Sequence, residues 1–169
     1  RALITDMNQP LGEAAGNFLE VRECLEALRG NCPPDLYEVT IELGAEMLSL
    51  AKIEQDRSRA RQLLDSKLSD GSAYRKFQEM VRFQGGDLSI FADSSDMPRA
   101  RAVTELWAER GGFVQAFQAE AIGRLIVEMG GGRMTKDDII DPLIGLVFKK
   151  KIGDQVSPGD ILAEIHARD

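Results

Sequence analysis

The spacing of apolar residues changes near residue 100, and this change constrains the fold more than any other feature of the sequence. Before that point, apolar residues recur every three or four positions, as is typical of amphipathic helices. Four such segments have apolar stripes at residues 18–28, 36–50, 60–68 and 73–81. Gly or Pro lies between the first and second and between the third and fourth, and the polar residue Asp56 precedes the third. We therefore expect a mostly helical first half, with Asp56 as the N-cap of the third helix.

The second half carries short apolar runs separated by turn residues, a pattern typical of strands. It predicts four strands, at Ala102–Ala108, Gly112–Phe117, Ile144–Phe148 and Ile161–Ile165. One further helix is predicted at Ala119–Met129. We predict an α+β fold with a mostly helical part at residues 1–92, a linker of turn-forming residues at 93–101 and a small α+β domain at 102–169.

The opening run Ala2–Thr5 is apolar and leads through a polar loop into a helix, which predicts half of a βα unit. A strand of this kind pairs with parallel neighbours. Because we identify no other strand candidate before Ala102, the sheet to which it belongs is expected upstream of Arg1. Arg1 is not expected to be the natural start of the protein.

The composition, 43% hydrophobic and 29% charged, is typical of a soluble globular protein, and no run of 18 apolar residues suggests a membrane span. The net charge of −7 argues against nonspecific binding of nucleic acid. Lys149–Lys151, the single basic run, is interpreted as a solvated strand end. Cys24 falls on an apolar helical stripe, which favours a buried thiol over a disulfide with Cys32 and predicts a cytoplasmic protein.

The residues by themselves reveal no active site, and we predict no catalytic and no substrate-binding residue in the chain. The single histidine, His166, is expected at a solvent-facing strand end, and one histidine with two cysteines is too few for a zinc site. Asp138 and its acidic neighbours are expected to cap a helix start rather than act as acid and base. Gly130–Gly132 follow a helix, so they are expected to end it, with an anion contact beside Arg133 left open.

One stretch is more specific than any periodicity: Thr5-Asp6-Met7-Asn8-Gln9-Pro10-Leu11-Gly12, followed by Gly16-Asn17 and Leu19-Glu20-Val21. It closely resembles the signature segment of the pyrimidine-nucleoside phosphorylase and thymidine phosphorylase family. The resemblance continues in order to the end of the chain, through Gln84-Gly85-Gly86-Asp87, Gly132-Arg133, Asp138, Ile140-Asp141, Gly145, Gly153-Asp154, Val156, Gly159-Asp160 and Leu162.

The resemblance implies a homodimeric enzyme in which phosphate attacks the anomeric carbon of a pyrimidine nucleoside and releases the free base and a (deoxy)ribose 1-phosphate. The resemblance implies no required cofactor, and phosphate is the co-substrate. The family's phosphate-binding loop, catalytic histidine and base-binding residues have no counterpart in this sequence. The chain is therefore expected to be the late part of the α/β lobe plus the C-terminal hammerhead or half barrel-sandwich domain, inactive alone.

The resemblance also implies part of one binding site. Some members bind a monovalent cation such as K⁺, or Ca²⁺ in its place, through backbone carbonyls and one carboxylate. The matching positions here are the carbonyls of Leu11 and Ala14 and the side chain of Glu23, which are hard oxygen donors. The alternative left open is that Glu23 is an exposed helix residue.

Two other functions compete with a phosphorylase fragment. Residues 153–162 are also similar to the half-barrel of biotinyl and lipoyl carrier domains, although Lys149–Lys151 lack the Met-Lys-Met or Asp-Lys-Ala context of a carrier lysine. The second competing function is a stand-alone interaction module derived from the phosphorylase C terminus. The predicted opening strand argues against it, because that strand would expose an unpaired edge. The sequence leaves open whether thymidine alone or uridine as well is accepted. AMP phosphorylases share the same ancestry.

Overall fold

A computed structural model of the chain describes residues 1–89 and 97–169. The backbone divides into two units, one made of residues 1–5 and the described residues from 24 to 97, the other of residues 6–23 and 98–169. Residues 6–23 thus group with the C-terminal residues, although they precede the helices in the sequence. The predicted linker at 93–101 lies partly outside the described residues.

The first unit is helical, as the periodicity predicts. After helix α1 (Asn17–Leu28), which contributes residues to both units, follow α2 (Pro34–Leu50), α3 (Arg57–Ser69) and α4 (Ser72–Phe83). Helix α2 starts at a proline, which tolerates the first helical position because its missing N–H would have no helical partner there. The predicted N-cap of α3 is confirmed, since the Asp56 carboxylate accepts a hydrogen bond from the Arg59 N–H at 2.8 Å.

Helices α2 and α3 pack closely around one buried charge. A side chain in place of Gly44 would come within 2.8 Å of Leu64, so the glycine lets the two helices approach. Glu42 of α2 is 9% exposed and forms ion pairs with Arg57 and Arg61. Arg61 also binds both carboxylate oxygens of Glu38, at 3.0 and 2.9 Å. The buried carboxylate is thereby neutralised, which a charge away from water requires.

The second unit is built on an antiparallel sheet. Strands β1 (Ala14–Ala15), β2 (Ala102–Trp107), β4 (Gly145–Phe148) and β6 (Ile161–Ala167) lie in the order β1-β4-β6-β2. The short strands β3 (Gly112–Phe113) and β5 (Gln155–Val156) form a separate pair. Helix α5 (Ala119–Ile126) continues into a π-helical turn at residues 127–131. This mixture of helices and antiparallel sheet confirms the predicted α+β class.

Within the four-stranded sheet, β4 is covered on both faces, whereas the edge strand β2 is mostly exposed. Leu146, Phe148 and Ala163 point to one face and pack against Phe117 and α5, with the rings of Phe117 and Phe148 edge to face at 5.2 Å. Val147 points to the other face, where it contacts Ala14 of β1 and Leu19 in the first turn of α1. Successive side chains of a strand point to opposite faces of the sheet. Since β4 is covered on each face, all of its apolar residues are buried.

The extended segments differ from the predictions in three places. Ala2–Thr5 has no regular secondary structure, and no strand lies beside it among the described residues. A strand needs such a neighbour to satisfy its backbone, and the expected sheet upstream of Arg1 stays a prediction. Conversely, β1 was not predicted, because two consecutive alanines show no alternation. The strand predicted at Gly112–Phe117 is limited to two residues, and the remaining strands and the helix at Ala119 are confirmed with shifted ends.

The predicted burial of Cys24 is also wrong, because its side chain is exposed. The fully buried residue of this part of α1 is its neighbour Leu25. No helix in the described ranges is long and apolar enough to cross a membrane.

Strand β1 can pair with β4 only because glycines stand where the two backbones meet. A side chain at Gly145 would come within 2.9 Å of the Gly16 Cα, and one at Gly16 would lie 2.5 Å from the Ile144 carbonyl oxygen. Gly16 has a φ of 141°, a value that residues with a side chain rarely adopt. The glycines that belong to the resemblance therefore have a packing reason.

We predict that Gly145→Ala lowers the free energy of unfolding by about 1–3 kcal/mol, because the added methyl group meets rigid backbone. Urea denaturation followed by the fluorescence of Trp107, the single tryptophan, reports on this sheet since Trp107 ends β2. The matched control is Gly123→Ala in α5, where an added methyl group meets nothing within 4 Å. The control should be neutral or stabilising by up to about 1 kcal/mol. Equal effects of the two substitutions would contradict the account.

Candidate functional site

Most of the segment that carries the sequence signature is a loop, and we call residues 6–16 the signature loop. They include β1 (Ala14–Ala15) and lead into α1. At its start, the Asp6 carboxylate accepts a hydrogen bond from the Asn8 N–H at 2.9 Å, which closes a tight turn. At its middle, Gly12 has a φ of 69°, in the left-handed region. The loop is therefore a defined, turning segment rather than an extended connection.

The carboxylate of Glu23 lies against this loop. Its Oε1 accepts hydrogen bonds from the N–H groups of Glu13 at 2.7 Å and Ala14 at 3.2 Å. A side chain at Gly12 would come within 2.8 Å of the Glu23 Cδ, so the carboxylate fills the space that any other residue would need. Glu23 is thus a half-buried partner of the loop, and the alternative of a merely exposed helix residue does not hold.

The backbone of Ala14 faces the same carboxylate. The Phe148 N–H donates to the Glu13 carbonyl at 2.7 Å, while Ala14 stands opposite Val147 in the antiparallel register. In such a ladder, hydrogen-bonded and non-hydrogen-bonded pairs alternate, so the N–H and C=O of Ala14 point away from β4. This direction agrees with the bond from the Ala14 N–H to Glu23. The Ala14 carbonyl is therefore on the side of β1 that β4 does not cover.

These positions test how well the loop would hold a cation. The Glu23 carboxylate binds the Ala14 N–H, on the side of β1 to which the Ala14 carbonyl also points, and Leu11 precedes Gly12 in the same loop. The described residues hold no group of three or more His, Cys, Asp or Glu side chains that would suit a metal ion. A single carboxylate balances the charge of a singly charged ion but only half that of Ca²⁺, while carbonyl and carboxylate oxygens are hard donors that suit either ion. The cation site at Leu11, Ala14 and Glu23 stays a prediction.

A lysine that the sequence analysis did not assign to the site also contacts the loop. The Lys151 Nζ donates to the carbonyl oxygens of Pro10 and Gly12, each at 2.5 Å. The interpretation of Lys149–Lys151 as a solvated strand end is confirmed for Lys149, which is exposed directly after β4, but is wrong for Lys151, which is half-buried. Lys149 pairs with Glu164 at 3.1 Å and Lys150 with Asp160 at 3.2 Å. The three lysines have three different partners, which a run of identical letters does not reveal.

His166 is buried rather than solvent-facing, so that prediction is also wrong. Its side chain stands opposite Gly145 in β4, on the central strand β6, and the residue is only 5% exposed. In the described part of the chain, neither ring nitrogen has a hydrogen-bond partner, although Nε2 lies 3.8 Å from the Glu164 carboxylate. Burial lowers the pKa of His166 below its ordinary value, and the positive charges of Arg22 and Lys149 act in the same direction.

The remaining sequence candidates have structural roles. The Asp138 carboxylate accepts hydrogen bonds from the N–H of Met134 and of Thr135, both at 2.9 Å, and from the Thr135 hydroxyl at 2.7 Å. These bonds lower the pKa of Asp138 and keep it ionised. They close a turn and not a helix start, because no helix begins there. Gly130 has a φ of 97° in the π-helical turn, so this glycine run ends the helix as predicted.

Comparisons with known proteins agree with the signature. Residues 113–169 match the family model of the pyrimidine nucleoside phosphorylase C-terminal domain. Over 166 residues, the chain is 41% identical to a pyrimidine-nucleoside phosphorylase of Geobacillus stearothermophilus, and 40% identical to those of Bacillus subtilis and Staphylococcus aureus. The alignment covers 98% of this chain but only 38% of each curated relative. The resemblance to the C-terminal portion of this family is confirmed.

We predict that burial of His166 makes stability depend on pH. Because its pKa is lower in the folded than in the unfolded chain, the unfolded chain binds the proton first as the pH falls below about 6.5. The free energy of unfolding should therefore fall between pH 7 and pH 5.5, and His166→Leu should flatten this slope. Urea denaturation at several pH values, followed by Trp107 fluorescence, measures it. An unchanged slope in the variant would show that His166 is not responsible.

Proposed function

We propose that this chain is the C-terminal portion of a pyrimidine-nucleoside phosphorylase, an enzyme that transfers a pentosyl group from a pyrimidine base to phosphate. The observation that carries the proposal is the 40–41% identity that extends over 98% of the chain to proteins of that name. The order of the signature motifs along the chain supports it further. Nucleoside and phosphate are then the substrates of the whole protein.

The proposed reaction breaks the glycosidic C–N bond and forms a C–O bond to phosphate. The base departs with the electron pair of the C–N bond and takes up a proton, and the pentose leaves as its 1-phosphate. Holding phosphate and nucleoside in line lowers the barrier by removing the entropy cost of their encounter. None of the side chains described above forms a nucleophile–base pair, and the single histidine is buried in the sheet. We therefore place the reacting groups outside this chain.

The role that we propose for this chain in the reaction is to shape the signature loop. Glu23 would hold K⁺ together with the carbonyls of Leu11 and Ala14. When bound, the ion would supply a positive charge near the family's phosphate-binding loop, which has no counterpart in this chain. The direction of the Ala14 carbonyl and the position of the Glu23 carboxylate support this assignment. Ca²⁺ would bind less well, since the loop offers a single carboxylate.

We further propose that the whole protein is a cytoplasmic homodimer without an organic cofactor, and that it acts in nucleoside salvage or catabolism. It would have no nucleic-acid or membrane partner. The net charge of −7 supports the absence of nucleic-acid binding, because phosphate backbones attract clustered positive charge.

A biotinyl or lipoyl carrier function is not favoured. A carrier lysine must stand exposed at a hairpin tip to receive its cofactor. Here Lys149 and Lys150 are engaged in ion pairs with acidic side chains, and Lys151 is half-buried against the carbonyls of the signature loop. A stand-alone interaction module is likewise not favoured, because the similarity to the phosphorylases extends over the signature loop as well as the C-terminal domain.

We predict that the full-length protein releases thymine or uracil from the nucleoside only when phosphate is present, and forms one pentose 1-phosphate for each base. Chromatography of the products with and without phosphate measures both quantities. The 169-residue chain alone should release no base, because it lacks a phosphate-binding loop. Release of base without phosphate, or no release by the full-length protein, would contradict the proposal.

We also predict that Glu23→Gln weakens activation of the full-length protein by K⁺ about tenfold, since it removes the negative charge but keeps an oxygen that can accept from the loop. The half-saturating K⁺ concentration, measured with choline as the replacement ion, gives the effect. The matched control is Glu20→Gln, because Glu20 accepts from the Gly16 N–H at 3.0 Å on the same helix and is not a predicted ligand. Equal effects of both substitutions would remove the assignment of Glu23.

A further inference from the structure

Lys151 connects the signature loop to the segment that follows β4. Its ammonium group donates to the carbonyl oxygens of Pro10 and Gly12, the residues on either side of Leu11. About 140 residues separate the lysine from these two partners in the sequence. An ammonium group has three N–H donors and no acceptor, so it can bind two carbonyls at once.

Two neighbours of Lys151 hold the same loop. The side-chain oxygen of Gln9 accepts a hydrogen bond from the Ile152 N–H at 2.9 Å. The Phe148 N–H donates to the Glu13 carbonyl at 2.7 Å. The segment from Phe148 to Ile152 therefore contacts the loop at both ends of the stretch between Gln9 and Glu13. Lys151 is the charged member of this set.

Glu23 acts on the same stretch with the opposite charge. The carboxylate accepts from the N–H groups of Glu13 and Ala14, whereas the ammonium donates to carbonyls. The negative carboxylate thus faces the N–H ends of the loop peptides, and the positive ammonium faces their carbonyl ends. Hydrogen bonds that involve a charged group are stronger than those between neutral groups. Leu11, one of the predicted cation ligands, stands between the two carbonyls that Lys151 holds.

We infer that Lys151 is a positioning residue, which fixes the backbone around Leu11 in the orientation in which the loop could bind K⁺, and that phosphate binding by the full-length protein depends on this backbone. The lysine does not itself touch the substrate in this account. Its effect on the reaction rests on the proposed function, whereas its effect on the loop and on ion binding does not. Lys149 and Lys150 pair with Glu164 and Asp160 instead, which makes Lys149 a suitable control.

The test compares Lys151→Met, Lys151→Arg and the control Lys149→Met in the full-length protein. Isothermal titration with KCl at constant ionic strength should show K⁺ binding about tenfold weaker in Lys151→Met, since two charge-assisted bonds to the loop are lost. Removal of the ammonium charge would by itself strengthen cation binding, so weaker binding identifies a positioning role. Hydrogen exchange of the peptide that spans residues 7–15 should be faster in the same variant. Lys151→Arg should restore part of both properties, and Lys149→Met should resemble the unsubstituted protein. Circular dichroism confirms that each variant is folded.

Steady-state kinetics separate positioning from general destabilisation. We expect Lys151→Met to raise KM for phosphate about tenfold, while kcat at saturating phosphate and K⁺ and KM for the nucleoside change less than twofold. If exchange becomes faster but K⁺ affinity and KM for phosphate do not change, Lys151 is only structural and the inference is overturned. If the unsubstituted protein releases no base, the proposed function fails, and the K⁺ titration alone then decides on Lys151. Absence of K⁺ binding to the unsubstituted protein would also overturn the inference.

Discussion

The signature loop depends on two side chains of opposite charge that bind its backbone. Glu23 accepts from the N–H groups of Glu13 and Ala14, and Lys151 donates to the carbonyls of Pro10 and Gly12. Only Ala14 and Ala15 of this loop belong to a strand, so these groups have to be satisfied in some other way. Gly12 is part of the same arrangement, because the Glu23 carboxylate occupies the space beside it. The shape of the loop is therefore set by residues distant from it in sequence.

This arrangement explains why residues 6–23 group with the C-terminal residues and not with the helices that follow them. Strand β1 extends the sheet at β4, and the glycines at positions 16 and 145 allow the two backbones to meet. The start of α1 covers one face of that sheet and buries Leu19. A segment that the sequence places in the first half is thus part of the second unit, in which the C-terminal residues complete its hydrogen bonds.

The sequence predicted the helices well, because apolar residues at helical spacing are a local signal. The Asp56 cap and the α+β class are confirmed for the same reason. Burial on the sheet is not local: His166 stands on the central strand β6 opposite Gly145, where an added side chain would come within 2.9 Å of Leu19 in α1. The exposure of Cys24 was missed because its neighbour Leu25 is the buried residue of the apolar stripe at this point of α1. Strand β1 was missed because two residues are too few to show an alternation.

The candidate site shows the same division between local and distant information. The resemblance pointed to Leu11, Ala14 and Glu23, and the structure places Glu23 against the backbone of Ala14. Lys151 could not be found from its own neighbourhood, since it stands in a run of three lysines with unlike partners. The reacting groups of the proposed enzyme could not be predicted at all, because the residues that would bind phosphate and base have no counterpart in this sequence.

The most direct test of this account is the hydrogen-exchange rate of single backbone amides in the signature loop, measured by NMR on the 169-residue chain. The amides of Glu13 and Ala14 donate to Glu23, so both should exchange at least about a hundredfold more slowly than in an unstructured peptide. The Ile152 amide, which donates to Gln9, should be protected as well. Exchange of all three at unstructured rates would mean that the loop is not held, and would contradict the central claim.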